Sequence, residues 1–202
     1  MEQPRYHHGD LYATLLHEAR TMLREEGLEA LTMRRLAERA GVSRTAPYHH
    51  FRDKNDLLCA IAARGFERLE ELLEAAELRP DDSLPDELRR FVHTYVRFAT
   101  EEPEQYDLMF GRVLWRAGAP TEELRSIAYR TFRHYAHNMT ALEPALALPG
   151  QQNILRLAQV SWATLHGLCR LLIDGIYPDP GSVEEISEQA VSVMLAGLKV
   201  NG

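Results

Sequence analysis

The chain has 202 residues, of which 45% are hydrophobic and 26% are charged, so it can bury a substantial core. No run of about 18 apolar residues is present, which excludes a transmembrane helix, and the N-terminus lacks an apolar signal core. Cys59 and Cys169 lie far apart and outside any CxxC pair, so structural burial is favoured over redox sensing. These features together predict a cytoplasmic protein.

The formal net charge of −7 is unevenly distributed along the chain. Residues 1–56 hold nine Lys/Arg and nine Asp/Glu, whereas residues 57–202 hold fourteen and twenty-one. Five of the nine histidines also fall in the first segment. An acidic body with a neutral, Arg- and His-rich end can still bind phosphate if its cations share one face.

Apolar residues recur at helical spacing through almost the whole chain, and strand-like alternation is nearly absent. The first part of the chain predicts four helices. The first ends at Gly27, and the second has Thr32 as its N-cap and ends at Gly41. The third, a short helix, is expected to be capped by Ser43, and the fourth begins at or next to Asp53.

Five more helices are predicted after the break "RPDDSLPDE". The fifth opens at a capping box, Ser83-Leu84-Pro85-Asp86, with proline in the first turn. The others follow in this order: the sixth from about Pro103, the seventh from Thr121 to about Glu143, the eighth from Gln151 to Ile176, and the ninth from a second capping box at Ser182–Glu185. The expected fold class is all-α, with about nine helices.

The second and third helices have the spacing of a helix-turn-helix, at about residues 32–51. Ala37 is small enough for the next helix to approach closely, and Gly41 can take the positive φ of the tight turn. Pro47 costs little in the first turn of the third helix, where few intrahelical bonds exist to lose. The second helix of such a motif faces outward, which explains why this stretch is rich in polar and aromatic side chains.

The side chains on this outward helix suit contact with nucleic acid. Arg44 and Thr45 lie in its first turn, where a recognition helix meets base edges or the nearby backbone. Tyr48 and His50 offer donors for phosphate oxygens, and Lys54 lies by the next helix start, whose amides can also hold phosphate. The DNA-binding candidates are Thr32, Ser43, Arg44, Thr45, Tyr48, His49 (base or backbone), His50 and Lys54.

The segment "LTMRRLAERAGVSRTAPYHHFRDKNDLL" resembles the N-terminal domain of the tetracycline-repressor (TetR) family of bacterial transcription regulators. The shared elements stand in register: Gly41-Val42-Ser43, Tyr48-x-His50-Phe51 and Lys54-x-x-Leu57. The stretches "YHHGDLYATLLHEA", "EEPEQYDLMFG" and "SWATLHGLCRLLIDG" resemble a branch with a Trp-His-Gly signature, here Trp162, His166 and Gly167. The resemblance covers nearly the whole chain, and the pair Ala46-Pro47 departs from the commoner pattern.

The resemblance implies a DNA-binding domain over residues 1–56 and a ligand-binding and dimerisation domain over residues 57–202. Helices eight and nine are expected to form a four-helix dimer interface with their mates. The implied function is a homodimeric regulator, most simply a repressor, that binds a palindromic double-stranded operator. Release by a small-molecule effector, apolar or aromatic, is expected, and no catalytic residue, cofactor, metal or membrane partner is expected.

Two sets of residues carry the expectations for the C-terminal domain. The candidate wall of an effector site combines large rings with a few polar tips: Tyr95, Phe98, Tyr106, Phe110, Trp162 and His166. Trp162 and His166 suit a packed core equally well. The expected dimer stripes are Ile154, Ala158, Ser161, Leu165, Leu168 and Leu172 on the eighth helix, and Val183, Ile186, Ala190, Val193 and Met194 on the ninth.

Other classes of function fit the sequence less well. His134-x-x-His137 has metal-ligand spacing, but no third ligand lies nearby in sequence, which favours a solvated or hydrogen-bonded pair. A helical enzyme would need a motif such as HExxH, a Walker loop or GxSxG, and none occurs. A pure protein-interaction bundle would leave Arg44, Tyr48 and Lys54 without a role. Binding to duplex DNA in moderate salt distinguishes these classes.

Overall fold

The structure is a computed structural model of the chain, and it describes residues 11–75, 83–141, 154–177 and 183–199. Within these ranges the chain forms helices, turns and short loops, with no strand. The elements are α1 (Leu11–Glu26), α2 (Met33–Arg39), a 3₁₀ segment (Ala46–His49), α3 (Lys54–Ala75), α4 (Leu84–Glu101), α5 (Pro103–Phe110), a π-helical turn (Val113–Ala117), α6 (Glu122–Ala141), α7 (Ile154–Ile173) and α8 (Val183–Lys199).

The prediction of an all-α fold is confirmed. Among the described residues, the nine predicted helices correspond to the eight α-helices and the 3₁₀ segment. The predicted ends at Glu143 and Gln151 and the capping box at Ser182 lie outside the described residues. None of the helices in the described ranges is long and apolar enough to cross a membrane. Cys59 and Cys169 are both free and buried, as predicted.

The chain divides into two compact units, each built from two stretches of sequence. The first unit holds the residues up to Phe66 together with Glu104–Ile127, and the second holds Glu67–Pro103 together with the residues from Ala128 onward. The boundary therefore falls inside α3, and the first unit includes α5 and the π-helical turn. The predicted functional division at residues 56 and 57 is a different partition and stays a prediction.

The first unit has its core on one stripe of α1, where apolar residues recur three and four positions apart. The buried members are Leu15, Leu16, Ala19, Met22 and Leu23. This stripe packs on α2, which buries Met33, Leu36 and Ala37. Full burial of each large side chain contributes about 1.5–3 kcal/mol, so this apolar contact stabilises the first unit.

Ion pairs join α2 to α1 outside this apolar core. The Arg39 guanidinium lies 2.8 Å from Glu18 and 2.6 Å from Glu25, and Arg35 pairs with Glu26. All these groups are partly exposed to solvent, so each pair contributes at most about 1 kcal/mol. Their larger effect is that two of the arginines of α2 are neutralised by acids of α1.

A close approach between α3 and α5 adds the second stretch of sequence to the first unit. The side-chain amide of the buried Gln105 donates a hydrogen bond to the carbonyl oxygen of Ile61, at 2.9 Å. A Cβ atom on Gly65 would lie 2.5 Å from the sulfur of Met109, so a larger residue there would force the Met109 side chain to move. Asn55 Nδ2 donates to the carbonyl oxygen of Ala119, at 2.9 Å, and so fixes the loop after the π-helical turn.

The second unit has α4 as its central helix, packed against α7 and α8. Ser83 caps α4 by accepting a hydrogen bond from the Asp86 amide, with Pro85 in the first turn, so the N-cap half of the predicted capping box is confirmed. The inner face of α4 buries Leu88, Val92, Tyr95, Val96, Phe98 and Ala99. A second set of buried residues, Tyr135, Met139 and Ala158, joins α6 to α7.

The stripe predicted as the dimer face of α7 is internal in part: the prediction is wrong for Ala158 and Leu165, whereas Ser161, Leu168 and Leu172 are half-buried. Ala158 and Leu165 are fully buried within the chain's own core. Other apolar side chains of α7 are exposed to solvent: Val160 and Leu171 share one face of the helix and are 64% and 37% exposed, and Leu155, on a different face, is 46% exposed. The helix is apolar on two faces, and periodicity alone does not tell which face the chain itself covers.

The turn after α2 closes with the two hydrogen bonds of a Schellman motif. The Val42 amide donates to the Ala37 carbonyl at 3.0 Å, and the Gly41 amide donates to the Glu38 carbonyl at 3.3 Å. Gly41 has a φ of +66°, in the left-handed region that glycine enters at little cost. The predicted positive φ at Gly41 is confirmed.

We expect Gly41→Ala to lower the free energy of unfolding by about 1 kcal/mol, because a Cβ atom is disfavoured at positive φ. Nothing lies within 4 Å of the added Cβ, so the loss comes from the backbone and not from a clash. Urea unfolding measures the change. The control is Gly41→Asn, which should lose less because asparagine tolerates this region. Equal stability of all three proteins would contradict this assignment.

Candidate nucleic-acid interface

The 3₁₀ segment follows the Gly41 turn and packs against α2. Its backbone bonds run from Ala46 to Ser43, from Tyr48 to Thr45 and from His50 to Pro47, at 3.0–3.1 Å. The sequence predicted a short helix here, and the structure gives the tighter 3₁₀ form over four residues. Pro47 lies in the first turn, where its missing amide hydrogen is compatible with either helical form.

Two buried side chains fix the inner side of this segment. Pro47 is buried, and Phe51 is only 2% exposed. The Phe51 ring stacks on Tyr12 of α1, with 5.3 Å between centroids and 28° between planes. His50 is half-buried and also borders Tyr12, at 6.0 Å. Residues 47 and 51 therefore attach the segment to the core, and Tyr48 and His49 between them face away from it.

Most of the predicted contact residues lie on the outer side of the same segment. The Arg44 side chain is 72% exposed and Tyr48 is 55% exposed. Ser43, Thr45 and His49 are exposed as well. The geometry thus presents one cation, three hydroxyl groups and an imidazole together at the end of the first unit.

Two of the predicted contact residues also have structural hydrogen bonds. Thr32 is the N-cap of α2, and its Oγ1 accepts a hydrogen bond from the Arg35 amide at 3.2 Å, as predicted. The prediction that Ser43 caps the next helix is wrong. Thr45 holds the cap position without a side-chain bond, and Ser43 Oγ lies 3.1 Å from Thr45 Oγ1. The Ser43 carbonyl oxygen, and not its side chain, accepts a hydrogen bond from the Ala46 amide at 3.0 Å.

Lys54 links the start of α3 to the loop after α1. Its Nζ donates a hydrogen bond to the Leu28 carbonyl at 2.8 Å, and the residue is half-buried. An ammonium group has three donors, so this bond leaves capacity for a phosphate oxygen. The Lys54 side chain therefore combines a structural bond with its predicted role.

A local network fixes the first turn of α3. Asp53 Oδ1 accepts from the Asp56 amide at 2.8 Å, and Asp56 in turn accepts from the Arg52 amide at 3.0 Å. The Arg52 guanidinium hydrogen-bonds the same carboxylate at 2.8 Å and lowers the pKa of Asp56. This network holds the helix start in place next to the 3₁₀ segment.

Sequence reasoning missed two exposed cations of this unit, Arg34 and Arg52, whose side chains are 69% and 80% exposed. Arg34 pairs with Glu38 at 3.0 Å, and Glu38 Oε1 is also 3.9 Å from Arg44. The i, i+4 spacing of Arg34 and Glu38 was a usable signal, because such residues are neighbours on a helix surface.

The six residues of the predicted effector wall divide between the two units. In the second unit, Tyr95 is fully buried and lies edge-on to Trp162, with 5.5 Å between ring centroids. Phe132 and Tyr135 also contact Trp162, at 5.7 and 5.0 Å. Phe98 is buried on α4. The pKa of the half-buried His166 is lowered, mainly by burial and to a smaller extent by the positive charge of Arg170.

The other two wall residues, Tyr106 and Phe110, belong to the first unit. Their rings lie 4.8 Å apart, and Phe110 meets Phe66 edge-on at 5.2 Å. Each unit thus has its own aromatic cluster.

A hydrogen bond also fixes the cluster of the second unit, where the Tyr135 hydroxyl lies 2.6 Å from Ser161 Oγ. Burial raises the pKa of Tyr135 to about 12, so this hydroxyl stays neutral.

Two polar features of the second unit involve none of the predicted DNA-binding or effector residues. A cleft of about 580 Å³ between α4 and α8 is lined by Arg90, His93, Thr94, Val96, Arg97, Thr100, Val183, Glu184 and Ser187. His134 Nδ1 lies 3.4 Å from Glu74 and 3.7 Å from Glu70, whereas His137 is exposed. Arg130 also pairs with Glu70, at 2.6 Å. Glu70, Glu74, Arg130 and His134 therefore form a network of ion pairs.

Comparison with known proteins places the chain in a class. A family model described as bacterial regulatory proteins, tetR family, matches residues 15–61. A second, described as tetracyclin repressor-like, C-terminal domain, matches residues 88–194, more than half of the chain. The chain is a bacterial regulatory protein. It belongs to the TetR family, whose members are regulators and not enzymes, so the prediction that it is no enzyme is confirmed.

Individual relatives match shorter stretches. The HTH-type transcriptional repressor AcnR of Corynebacterium glutamicum is 35% identical over 99 residues, which is 49% of this chain and 45% of that protein. The class A tetracycline repressor from transposon 1721 of Escherichia coli is 49% identical over 49 residues, 24% of this chain and 23% of that protein. The chain thus spans less than half the length of these curated relatives.

Solved structures match nearly the whole chain. A protein of unknown function from a Rhodococcus species is 32% identical, with a TM-score of 0.82, over 97% of this chain and 98% of that one. The TetR family transcriptional regulator PfmR of Thermus thermophilus is 22% identical, with a TM-score of 0.68, over 92% and 98%. The second likeness concerns the fold alone. The assignment to a Trp-His-Gly branch stays a prediction.

Proposed function

We propose that the protein is a transcriptional repressor that binds a palindromic DNA operator as a homodimer and leaves it when a small molecule binds. The observation that carries the DNA-binding part is the 3₁₀ segment, anchored by Pro47 and Phe51 while Arg44, Tyr48 and His49 face outward. Its C. glutamicum relative is named a repressor. On this proposal the protein acts in the cytoplasm.

DNA contacts divide into those that position the protein and those that read sequence. Arg44 enters the major groove ahead of the segment and reads a base edge, most favourably the O6 and N7 atoms of guanine. Tyr48, His50 and Lys54 bind phosphate oxygens on either side of the groove. Thr32, Ser43 and Thr45 add hydroxyl donors to the backbone, and His49 adds a base or backbone contact.

Dimerisation supplies the second half of a palindrome, because a two-fold axis in the protein matches a two-fold axis in the operator. The support is the apolar surface that α7 and α8 present to solvent, which includes Val160 at 64% and Val193 at 59% exposure. A dimer interface on α7 and α8 would remove these apolar side chains from water. We therefore place the interface on the outer faces of α7 and α8.

Of the predicted effector wall, Tyr95, Phe98, Trp162 and His166 lie in the second unit, and we propose that an apolar or aromatic effector acts through this group. In the second unit these rings pack on one another, so a ligand that enters must displace one of them. Such a ligand binds one arrangement of the rings better than another. This difference in affinity is what allows it to shift the protein away from DNA.

The first prediction of the proposal separates base reading from phosphate binding. Arg44→Ala should weaken operator binding by about 1–3 kcal/mol, because it removes the contact to particular base pairs. Its binding to random duplex should change less. Lys54→Gln and Tyr48→Phe should weaken binding to all sequences, and Lys54→Gln should lower the salt slope by about one. Fluorescence anisotropy over a salt series measures both quantities.

The control for these variants is Arg125→Gln, which removes a charge from an exposed position on α6. Thermal melting of each variant checks that Lys54→Gln keeps the fold despite the Leu28 bond. If Arg44→Ala, Tyr48→Phe and Lys54→Gln all bind operator like the wild type, the 3₁₀ segment is not the reader.

The second prediction concerns the dimer. Val160→Glu and Val193→Glu should each shift the protein toward monomer, because a carboxylate buried in an apolar interface loses its hydration. The control is Val113→Glu, since Val113 is 42% exposed in the first unit. Sedimentation velocity at micromolar concentration measures the change. A wild-type protein that sediments as a stable monomer would reject the proposed dimer.

The third prediction concerns the effector. Trp162→Phe keeps an aromatic ring in the cluster and should preserve operator binding while changing the effector concentration that releases DNA. By reciprocity, operator DNA must weaken effector binding by the same factor, typically 5–150-fold or about 1–3 kcal/mol of coupling. The probes are hydrophobic and aromatic compounds that release labelled operator, with titration calorimetry as readout. If Trp162→Phe releases DNA at the same effector concentration as the wild type, or if operator DNA leaves the effector affinity unchanged, the effector binds elsewhere.

A further inference from the structure

An acidic side chain lies between two exposed arginines next to the 3₁₀ segment. Glu38 Oε1 is 3.0 Å from Arg34 Nε and 3.9 Å from Arg44 Nη2. The Glu38 side chain is 51% exposed, and those of Arg34 and Arg44 are 69% and 72% exposed. One negative charge therefore stands on the surface that the proposed function turns toward DNA, beside the proposed base-reading residue.

Stability does not account for this arrangement. Exposed ion pairs of this kind contribute about 0–1 kcal/mol, and the 3.9 Å contact to Arg44 is long. The other acids near α2 have a different task, because Glu18, Glu25 and Glu26 bind Arg35 and Arg39 and join the two helices. The Glu38 carboxylate instead pairs, among the described residues, with the two arginines at the edge of the proposed interface.

We propose that Glu38 is a specificity-determining residue that reduces binding to non-operator DNA more than binding to the operator. This inference rests on the proposed DNA-binding function. Non-specific binding is almost entirely electrostatic, so a carboxylate near the phosphates opposes it fully. In the operator complex Arg44 leaves Glu38 for a base edge, and the direct contacts to that base outweigh the repulsion.

A second effect of Glu38 acts in the same direction. While Arg44 is free of DNA, the carboxylate limits the orientations of its long side chain. Ordering such a side chain on binding costs about 0.5–1.5 kcal/mol of conformational entropy. This cost is smaller for Arg44, because Glu38 already restricts its side chain in the free protein. Without Glu38, Arg44 gains phosphate contacts on any sequence and loses its prior orientation for one base. Discrimination falls for both reasons.

The test is Glu38→Gln, which removes the charge and keeps an oxygen that can accept the hydrogen bond from Arg34. Glutamine and glutamate have similar helix propensities, so α2 should be undisturbed. The matched control is Glu101→Gln on α4, because Arg97 and Glu101 form an i, i+4 pair of similar exposure, 67% and 55%. Both variants change the net charge equally, and only Glu38 lies beside Arg44.

Dissociation constants are measured by anisotropy on two duplexes over a salt series. One is the operator, selected by wild-type protein from a random pool, and the other is a scrambled duplex. Near 0.1 M salt, Glu38→Gln should bind scrambled duplex about tenfold more tightly and operator about threefold more tightly. Its salt slope should steepen by about one. In an Arg44→Ala background, the loss of discrimination should be much smaller.

The possible outcomes separate this inference from the function on which it rests. A lower ratio of operator to scrambled affinity in Glu38→Gln, absent in Glu101→Gln, supports the inference. Equal behaviour of the two variants, or an unchanged ratio in Glu38→Gln, overturns it while DNA binding stands. Failure of the wild-type protein to bind any duplex overturns the proposed function and this inference together.

Discussion

The left-handed turn at Gly41 is the constraint on which the proposed reading surface depends. The α2 helix can stop abruptly only because residue 41 takes a positive φ and closes two hydrogen bonds back onto Ala37 and Glu38. This change of chain direction brings the next residues across α2, where Pro47 and Phe51 are buried in the core. Once these two are buried, Tyr48 and His49 between them face solvent. The exposure of Tyr48 and His49 is thus a consequence of backbone geometry.

Charge is organised by the same packing. Arg35 and Arg39 lie on the side of α2 that faces α1 and are neutralised there by glutamates. Arg34 and Arg44 lie on the side near the turn and remain largely exposed. A segment with equal numbers of positive and negative residues therefore presents an uneven surface. Formal balance over residues 1–56 does not weaken the case for phosphate binding.

Much of the fold could be predicted from the sequence, because caps, glycine stops and helical periodicity are local signals. The caps at Thr32 and Ser83 and the stop at Gly41 were of this kind. The wrong predictions concern choices that local signals do not determine. Pro47 allowed a helix in either form, and the packing of Phe51 on Tyr12 accompanies the 3₁₀ form. On α7 two apolar faces compete, and burial of Ala158 decides which one is internal.

The candidate site shows the same division. Outward-facing residues of a short helix can be identified from spacing, as Arg44 and Tyr48 were. The bond from Lys54 to the Leu28 carbonyl joins residues 26 positions apart and has no signature in the sequence. The split of the aromatic residues into two clusters is also a tertiary outcome, since ring type and helical spacing do not say which helices pack together.

The two-part composition of the first unit has a consequence for protein engineering. Its two stretches are held together by the bond from Gln105 to Ile61 and by the close approach of Met109 to residue 65. A hybrid regulator made by joining only the N-terminal residues to another effector module would leave the α3 surface around Ile61 and Gly65 without its natural cover. Transplanting this reader therefore requires carrying residues 104–127 with it, or redesigning the face of α3 that they protect.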